Sequence, residues 1–266
     1  MNFNIIIGFL VAVLSIIFGF YFDGGNFASL YSPTALLIVL GGAIGYIILG
    51  FPLNVLAQFP RSIKFILFRK KKDYAGLIEK LYNLANIARR EGILSMEAEA
   101  EKEEDPFIQK GLLYVADGVE PEFLKEVLEN EISARMRDIT AAAKICDAGG
   151  AVCPAMGLIG TVIGMVNILL NLSADMSVLG VSVGTAFLTT FYGVFLANVF
   201  FLPLGSHIRL CAEEEASYMS LIVTGLLSIL EGEYPARMRD NLIAEIGGPD
   251  KLKALSKDNG KEKKSA

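Results

Sequence analysis

The sequence predicts an all-α, polytopic membrane protein with four transmembrane helices and a helical cytoplasmic domain. Three observations predict it. Hydrophobic residues make up 53% of the 266, and mean hydropathy is +0.49, which is a membrane-protein composition rather than that of a soluble globule. Only 20% of residues are charged, and they are segregated rather than spread. Four apolar runs approach the roughly 20 residues that cross a hydrocarbon core: Phe3–Phe22, Pro33–Phe51, Gly149–Leu172 and Leu179–Gly205.

The first run has no Lys or Arg before it and no small-residue cleavage site after it. It therefore reads as a retained helix, not a removed signal peptide. Basic residues set the orientation. Arg61, Lys64, Arg69, Lys70, Lys71 and Lys72 follow the second run, Arg135, Arg137 and Lys144 precede the third, and Arg209 follows the fourth. The connections Asp23–Ser32 and Ser173–Val178 contain neither Lys nor Arg. By the positive-inside rule both termini and the long middle segment are cytoplasmic. The expected division is a first hairpin at 1–52, a cytoplasmic helical domain at 53–145, a second hairpin at 146–206, and a cytoplasmic helix and tail at 207–266.

Within the insertion, Tyr74, Leu77, Ile78, Leu81, Leu84 and Ala88 recur at helical spacing. They predict an amphipathic helix over Asp73–Arg90, capped by Asp73 and interrupted at Gly92. A charged stretch from Glu97 to Asp105 ends at Pro106. A second helix is expected over Phe107–Ala116, before the turn at Asp117-Gly118. Pro121 opens a third, with Phe123, Leu124, Val127, Leu128, Ile132, Met136 and Ile139 on its apolar side. No strong breaker follows until Gly149, so this helix is expected to feed into the third span. Ile208–Leu230 is helical in pattern, ended by Gly232 and Pro235, and Lys251–Ala266 is a Lys-rich, apolar-poor tail.

Composition also excludes functions. With net charge −5, pI about 5.1 and no basic face interleaved with aromatics, nucleic acid is not an expected partner. Cys146, Cys153 and Cys211 form no ligand cluster, and His207 reads as an ordinary interfacial residue. There is no phosphate loop, no Ser-His-Asp set and no metal-ligand spacing. The reading is therefore a protein that is not an enzyme and uses no cofactor, with a soluble arm that contacts something.

Polar groups in lipid are costly unless they face protein or water. Thr161 and Asn167 lie in the third run, and Thr189, Thr190, Tyr192 and Asn198 in the fourth. A single helical threonine often bonds only its own i−4 carbonyl. Several polar residues on two runs joined by a short loop instead predict a polar seam between neighbouring helices. Gly41-xxx-Gly45, Gly160-xxx-Gly164 and Gly180-xxx-Gly184 add small-residue packing patterns and favour a multi-helix, oligomeric assembly. No Asp, Glu, Lys, Arg or His falls within the core of a span: Asp23 and Asp175 are in outer connections, Asp147 at the inner boundary. Hydroxyls do not titrate near neutral pH, so proton movement here requires a carboxylate from another chain.

At these residues the chain resembles the MotA/PomA flagellar stator subunits, within the wider MotA/TolQ/ExbB group. The family's fourth-helix signature is filled by Ala186, Phe187, Leu188, Thr189, Thr190, Phe191, Tyr192, Gly193, Val194 and Phe195, then Pro203. Pro154 matches the proline that begins the family's third helix. Two spans before the large insertion, rather than one, select MotA/PomA over the alternative, a TolQ/ExbB-type energiser of an outer-membrane partner. The resemblance implies a multi-pass subunit of the bacterial cytoplasmic membrane that conducts H+ or Na+ and turns the flow into torque. Implied partners are the lipid bilayer, a MotB/PomB-like subunit with an essential Asp and a peptidoglycan-binding domain, the rotor protein FliG, and further copies of itself in a pentamer. It implies an ion pathway at Thr161, Thr189, Thr190 and Tyr192, conformational coupling at Pro154 and Pro203, and rotor contact at Arg89, Arg90 and Glu97. The ion itself stays open, with the hydroxyl of Thr161 on the sodium side.

Overall fold

The structure, a computed structural model, describes residues 3–68, 72–170 and 176–253. Arg69, Lys70 and Lys71, the end of the third run at Leu172, the connection after it as far as Asp175, and the tail beyond Lys253 lie outside the described residues. Among the described residues every regular element is helical. Three helical stretches are long and apolar enough to cross a membrane: Phe27–Gly50, Pro121–Leu170 and Leu179–Leu230. The first apolar run is helix α1, Phe3–Phe22, 20 residues long, about 30 Å at 1.5 Å per residue.

The chain divides into two compact units. One comprises Met1–Arg69 and Asp138–Cys211, the other Lys70–Arg137 and Ala212–Ala266. The boundaries thus fall 17 residues later than 52, and eight residues earlier than 145, relative to the divisions expected from sequence.

In the first unit, α2 (Pro33–Gly50) starts where Ser32 Oγ accepts the backbone N–H of Ala35 and Pro33 takes the first turn. That is the arrangement in which a missing proline N–H costs nothing. Helix α3 (Leu53–Phe68) then contains Pro60; the sequence reading did not separate it from the insertion. Val39 and Ala43 of α2 are buried against Val152 and Cys153 of α7 (Pro121–Leu170) and Ala197, with Met156, Tyr192, Leu196 and Phe201 packed around them.

The expected single fourth span is built in three pieces: α8 (Met176–Phe195), a π-helical segment Leu196–Phe201, and α9 (Leu202–Leu230). The π register is explicit, because the N–H of Leu202 donates to the carbonyl of Ala197, five residues back. Pro203 supplies the cause. It has no N–H to give and its ring crowds the carbonyl four residues earlier, and a wide turn just before it relieves that crowding. Asn198 Nδ2 donates to Val194 O at 2.9 Å within the same stretch. Periodicity alone could not reveal this, since a π turn shifts the register without leaving the apolar pattern.

The second unit is a separate helical core. Helix α4 (Tyr74–Glu91) is N-capped by Asp73, whose Oδ1 accepts the N–H of Gly76 at 3.0 Å, and it ends at Gly92 with φ +90°. Helix α5 (Ser95–Glu101) overlaps the first half of the expected charged stretch. Only Met96 and Ala100, four residues apart, are buried from it, too few for a periodic signal. Asp105 caps α6 (Pro106–Ala116) through the N–H of Phe107 at 2.9 Å. The core joins Leu81 of α4, Met96, Leu112 of α6, Leu124 and Leu128 of α7, and Leu221, Ile222 and Leu226 of α9. Pro235 ends nothing: it opens a further helix, α10 (Pro235–Glu245), which contributes Met238 and Leu242 to that core. Helices α7 and α9 each supply residues to both units.

Candidate functional site

Within the membrane unit, α7 and α8 approach until backbone meets backbone. A Cβ on Gly157 would sit 2.8 Å from the carbonyl oxygen of Thr189 and 3.1 Å from Thr190 Cα, and one on Gly193 would sit 2.5 Å from Cys153 O. Only glycine permits this separation. The close approach carries Thr161 to the facing helix, where its Oγ1 lies 3.0 Å from Gly157 O and 3.1 Å from Ala186 O, and in hydrogen-bond contact with Thr190 Oγ1.

A threonine hydroxyl has one proton and two lone pairs. The single Thr161 proton can go to Gly157 O, to Ala186 O or to Thr190 Oγ1, and either hydroxyl can be the donor in the Thr161–Thr190 contact. Whichever donates, the remaining hydroxyl lone pairs are the acceptors at this seam. Both residues are half-buried. The pair offers hard oxygen donors suited to an alkali cation or a water molecule, and no group that titrates near neutral pH.

The other residues of the expected path are placed differently. Thr189 is 1% exposed, with its hydroxyl donating to Ala186 O at 2.7 Å. Tyr192 lies about 200° around the helix from Thr190. Its hydroxyl donates to Leu30 O and accepts from the N–H of Ser32 at 3.2 Å, tying α8 to the turn before α2. Thr161 and Thr190 are therefore brought together, Thr189 is packed between the helices, and Tyr192 braces the turn before α2.

Pro154 is half-buried within α7, one turn below Gly157, and Pro203 is exposed in the first turn of α9, after the π segment. Asp147 and Arg209 form an ion pair of 2.6 Å between α7 and α9, a link that sequence reading did not make. The three cysteines are buried and unbridged, with Cys211 Sγ 3.4 Å from His207 Nε2. Among the described residues no group of three or more His, Cys, Asp or Glu is placed to hold a metal.

Arg89 and Arg90 occupy the last turn of α4, where cations complement the helix dipole, and both are exposed. Glu97 is exposed in the first turn of α5. The guanidinium of Arg89 lies over the ring of Tyr234, 4.5 Å from its centroid. Sequence reading missed Tyr234 because it sits in a Gly-Glu-Tyr-Pro turn outside any periodic stretch.

Fold and seam define a class: a multi-pass, all-helical membrane protein whose spans gather hydroxyl groups at one close helix contact. Residues 99–220 match the MotA/TolQ/ExbB proton channel family, and residues 6–92 match the motility protein A N-terminal family. Motility protein A of Bacillus subtilis is 29% identical over 250 residues, covering 93% of this chain and 92% of that one. Chemotaxis protein PomA of Vibrio alginolyticus is 31% identical, covering 85% and 90% respectively. The solved flagellar MotAB stator complex from Bacillus subtilis contains a chain with TM-score 0.85 and 29% identity, covering 93% of this chain and 97% of that one. The chain belongs to the MotA/PomA flagellar stator subunits of the MotA/TolQ/ExbB proton channel family.

Proposed function

We propose that this stator subunit conducts H+ or Na+ across the bacterial cytoplasmic membrane together with a MotB/PomB-like partner, and that the flow drives torque on the rotor protein FliG. One observation carries the reading: Thr161 and Thr190 meet at the α7–α8 seam as paired hydroxyls, in spans that contain no carboxylate or base of their own. A hydroxyl pair can coordinate or guide an ion but cannot bind and release a proton at neutral pH. The titrating group therefore comes from the partner, as a transmembrane Asp. The Bacillus subtilis structure is of a MotAB complex, which supports such a second chain here. Each monovalent ion that crosses supplies about 2.3 kcal/mol per 100 mV, and the work appears as movement of a pentameric ring rather than as covalent chemistry. Thr189 packs the seam, Pro154 and Pro203 shape the helix ends that respond to ion release, and Arg89, Arg90 and Glu97 engage the rotor. Both termini and the second compact unit are cytoplasmic, and no cofactor is used beyond the transported ion.

Swimming speed measured against external Na+ at fixed pH, with a protonophore control, tests the reading and names the ion. A sodium-driven motor slows as Na+ falls and tolerates the protonophore; a proton-driven one does the reverse. If the purified chain alone transported either ion as fast as the two-chain complex, the shared site would be wrong.

A further inference from the structure

Arg89 is in no ion pair among the described residues, yet it is not left to wander, because its charge rests over the face of Tyr234. Tyr234 is 59% exposed, so the ring and the charge above it are both open to a partner surface. The turn that carries it is fixed from several directions. Helix α9 ends in a Schellman arrangement: the N–H of Glu233 donates to Ser228 O at 2.9 Å, and that of Gly232 (φ +71°) to Ile229 O at 3.1 Å. The Glu233 carboxylate then accepts from Ser228 Oγ at 2.7 Å and from Asn241 Nδ2 at 3.1 Å, and pairs with Arg237 at 3.2 Å. Pro235, buried, fixes the first turn of α10 just beyond. The ring is thus held on a rigid corner beneath a flexible arginine.

We infer that Tyr234 is a positioning residue for Arg89: its ring holds the guanidinium in place to receive a carboxylate on an acidic face of the rotor. The inference rests on the rotor-contact reading of Arg89 given above. The chemistry suits the task. A ring contact uses none of the five N–H donors of a guanidinium, so the arginine stays able to grip a carboxylate bidentately. Ordering a long side chain before contact removes part of the entropy cost of binding, and exposed aromatic and arginine side chains are the usual energetic centres of interfaces. A cation over an exposed ring gains about 0.5–1 kcal/mol, so losing the ring lowers the population of the held arginine about two- to fivefold.

The test uses the full stator complex in cells and after purification. Tyr234 makes no side-chain cap to α10 and is exposed, so Tyr234→Ala is expected to leave membrane abundance and thermal unfolding unchanged. Modification of Arg89 by phenylglyoxal, followed by mass spectrometry, should accelerate about two- to fivefold in Tyr234→Ala and return to the parental rate in Tyr234→Phe, which keeps the ring. Single-motor torque should fall in Tyr234→Ala, recover in Tyr234→Phe, and fall no further when Tyr234→Ala is added to Arg89→Ala. An unchanged phenylglyoxal rate, or torque losses that add in the double variant, would overturn the positioning role. If the modification rate changes as expected but Arg89→Ala leaves torque intact, the failure lies in the rotor-contact reading, and the inference falls with it.

Discussion

Replacing Gly157 by alanine puts one methyl group where α7 and α8 touch. Its Cβ would lie 2.8 Å from Thr189 O and 3.1 Å from Thr190 Cα. The first distance falls about 0.6 Å short of 3.4 Å, where ordinary contact begins. Both obstructing atoms are backbone, so no side-chain rotation relieves the clash and the helices must separate. If they part by that amount along the seam, the 3.1 Å link from Thr161 Oγ1 to Ala186 O opens to about 3.7 Å, beyond hydrogen-bonding range. Overpacking of this kind costs about 1–3 kcal/mol. At about 2–4 °C per kcal/mol for a chain near this size, the purified complex should lose between about 2 and 12 °C of thermal stability, and swimming should slow as the paired hydroxyls separate. Gly41→Ala provides the contrast. A Cβ there meets nothing within 4 Å inside the chain, so any defect it causes arises between chains. Wild-type melting and swimming in Gly157→Ala would refute the tight-seam geometry and, with it, the reason Thr161 reaches Thr190.

Three further outcomes are expected. Thr190→Val removes one of the paired hydroxyls at the seam and should reduce swimming speed while leaving ring assembly intact, with Thr190→Ser retaining most of it; normal speed in the valine variant would remove Thr190 from the ion path. Arg89→Glu should weaken torque, with partial rescue by a charge reversal in the rotor, and no effect would mark Arg89 as an ordinary solvated charge. Burial works against the charged form of Glu103, but the Lys80 ammonium at 2.6 Å and the N–H groups of Asp105 and Glu104 outweigh it and hold the carboxyl below its ordinary range. A depressed folded pKa means stability present above the unfolded value and lost as pH falls through the folded one. Glu103→Gln should therefore destabilise the complex at pH 7 and flatten the loss of stability below about pH 4.3, measured by thermal unfolding across pH. An unchanged acid limb would show that Glu103 contributes nothing to it.

Composition and local spacing suffice for one set of features. Spanning helices follow from apolar length, the Asp73 cap from an acidic residue ahead of a periodic run, and the long α7 from the absence of a breaker between Pro121 and Gly149. The missing carboxylate in the spans is also a fact of sequence, and it is the basis for expecting a second chain. Resemblance carried the residue roles, because a threonine in a helix looks the same whether it bonds its own carbonyl or a facing hydroxyl.

Which polar groups meet depends on how the helices pack. Thr189, Thr190 and Tyr192 lie within four residues, yet helical rotation sends them to the packed contact, the seam and the turn before α2 respectively. The π turn before Pro203 changes that rotation for every residue after it, and no apolar period records it. The contacts of Asp147 with Arg209 and of Arg89 with Tyr234 join residues 62 and 145 positions apart. Local spacing fixes what a helix is; only the packing of one helix on another fixes what its side chains touch.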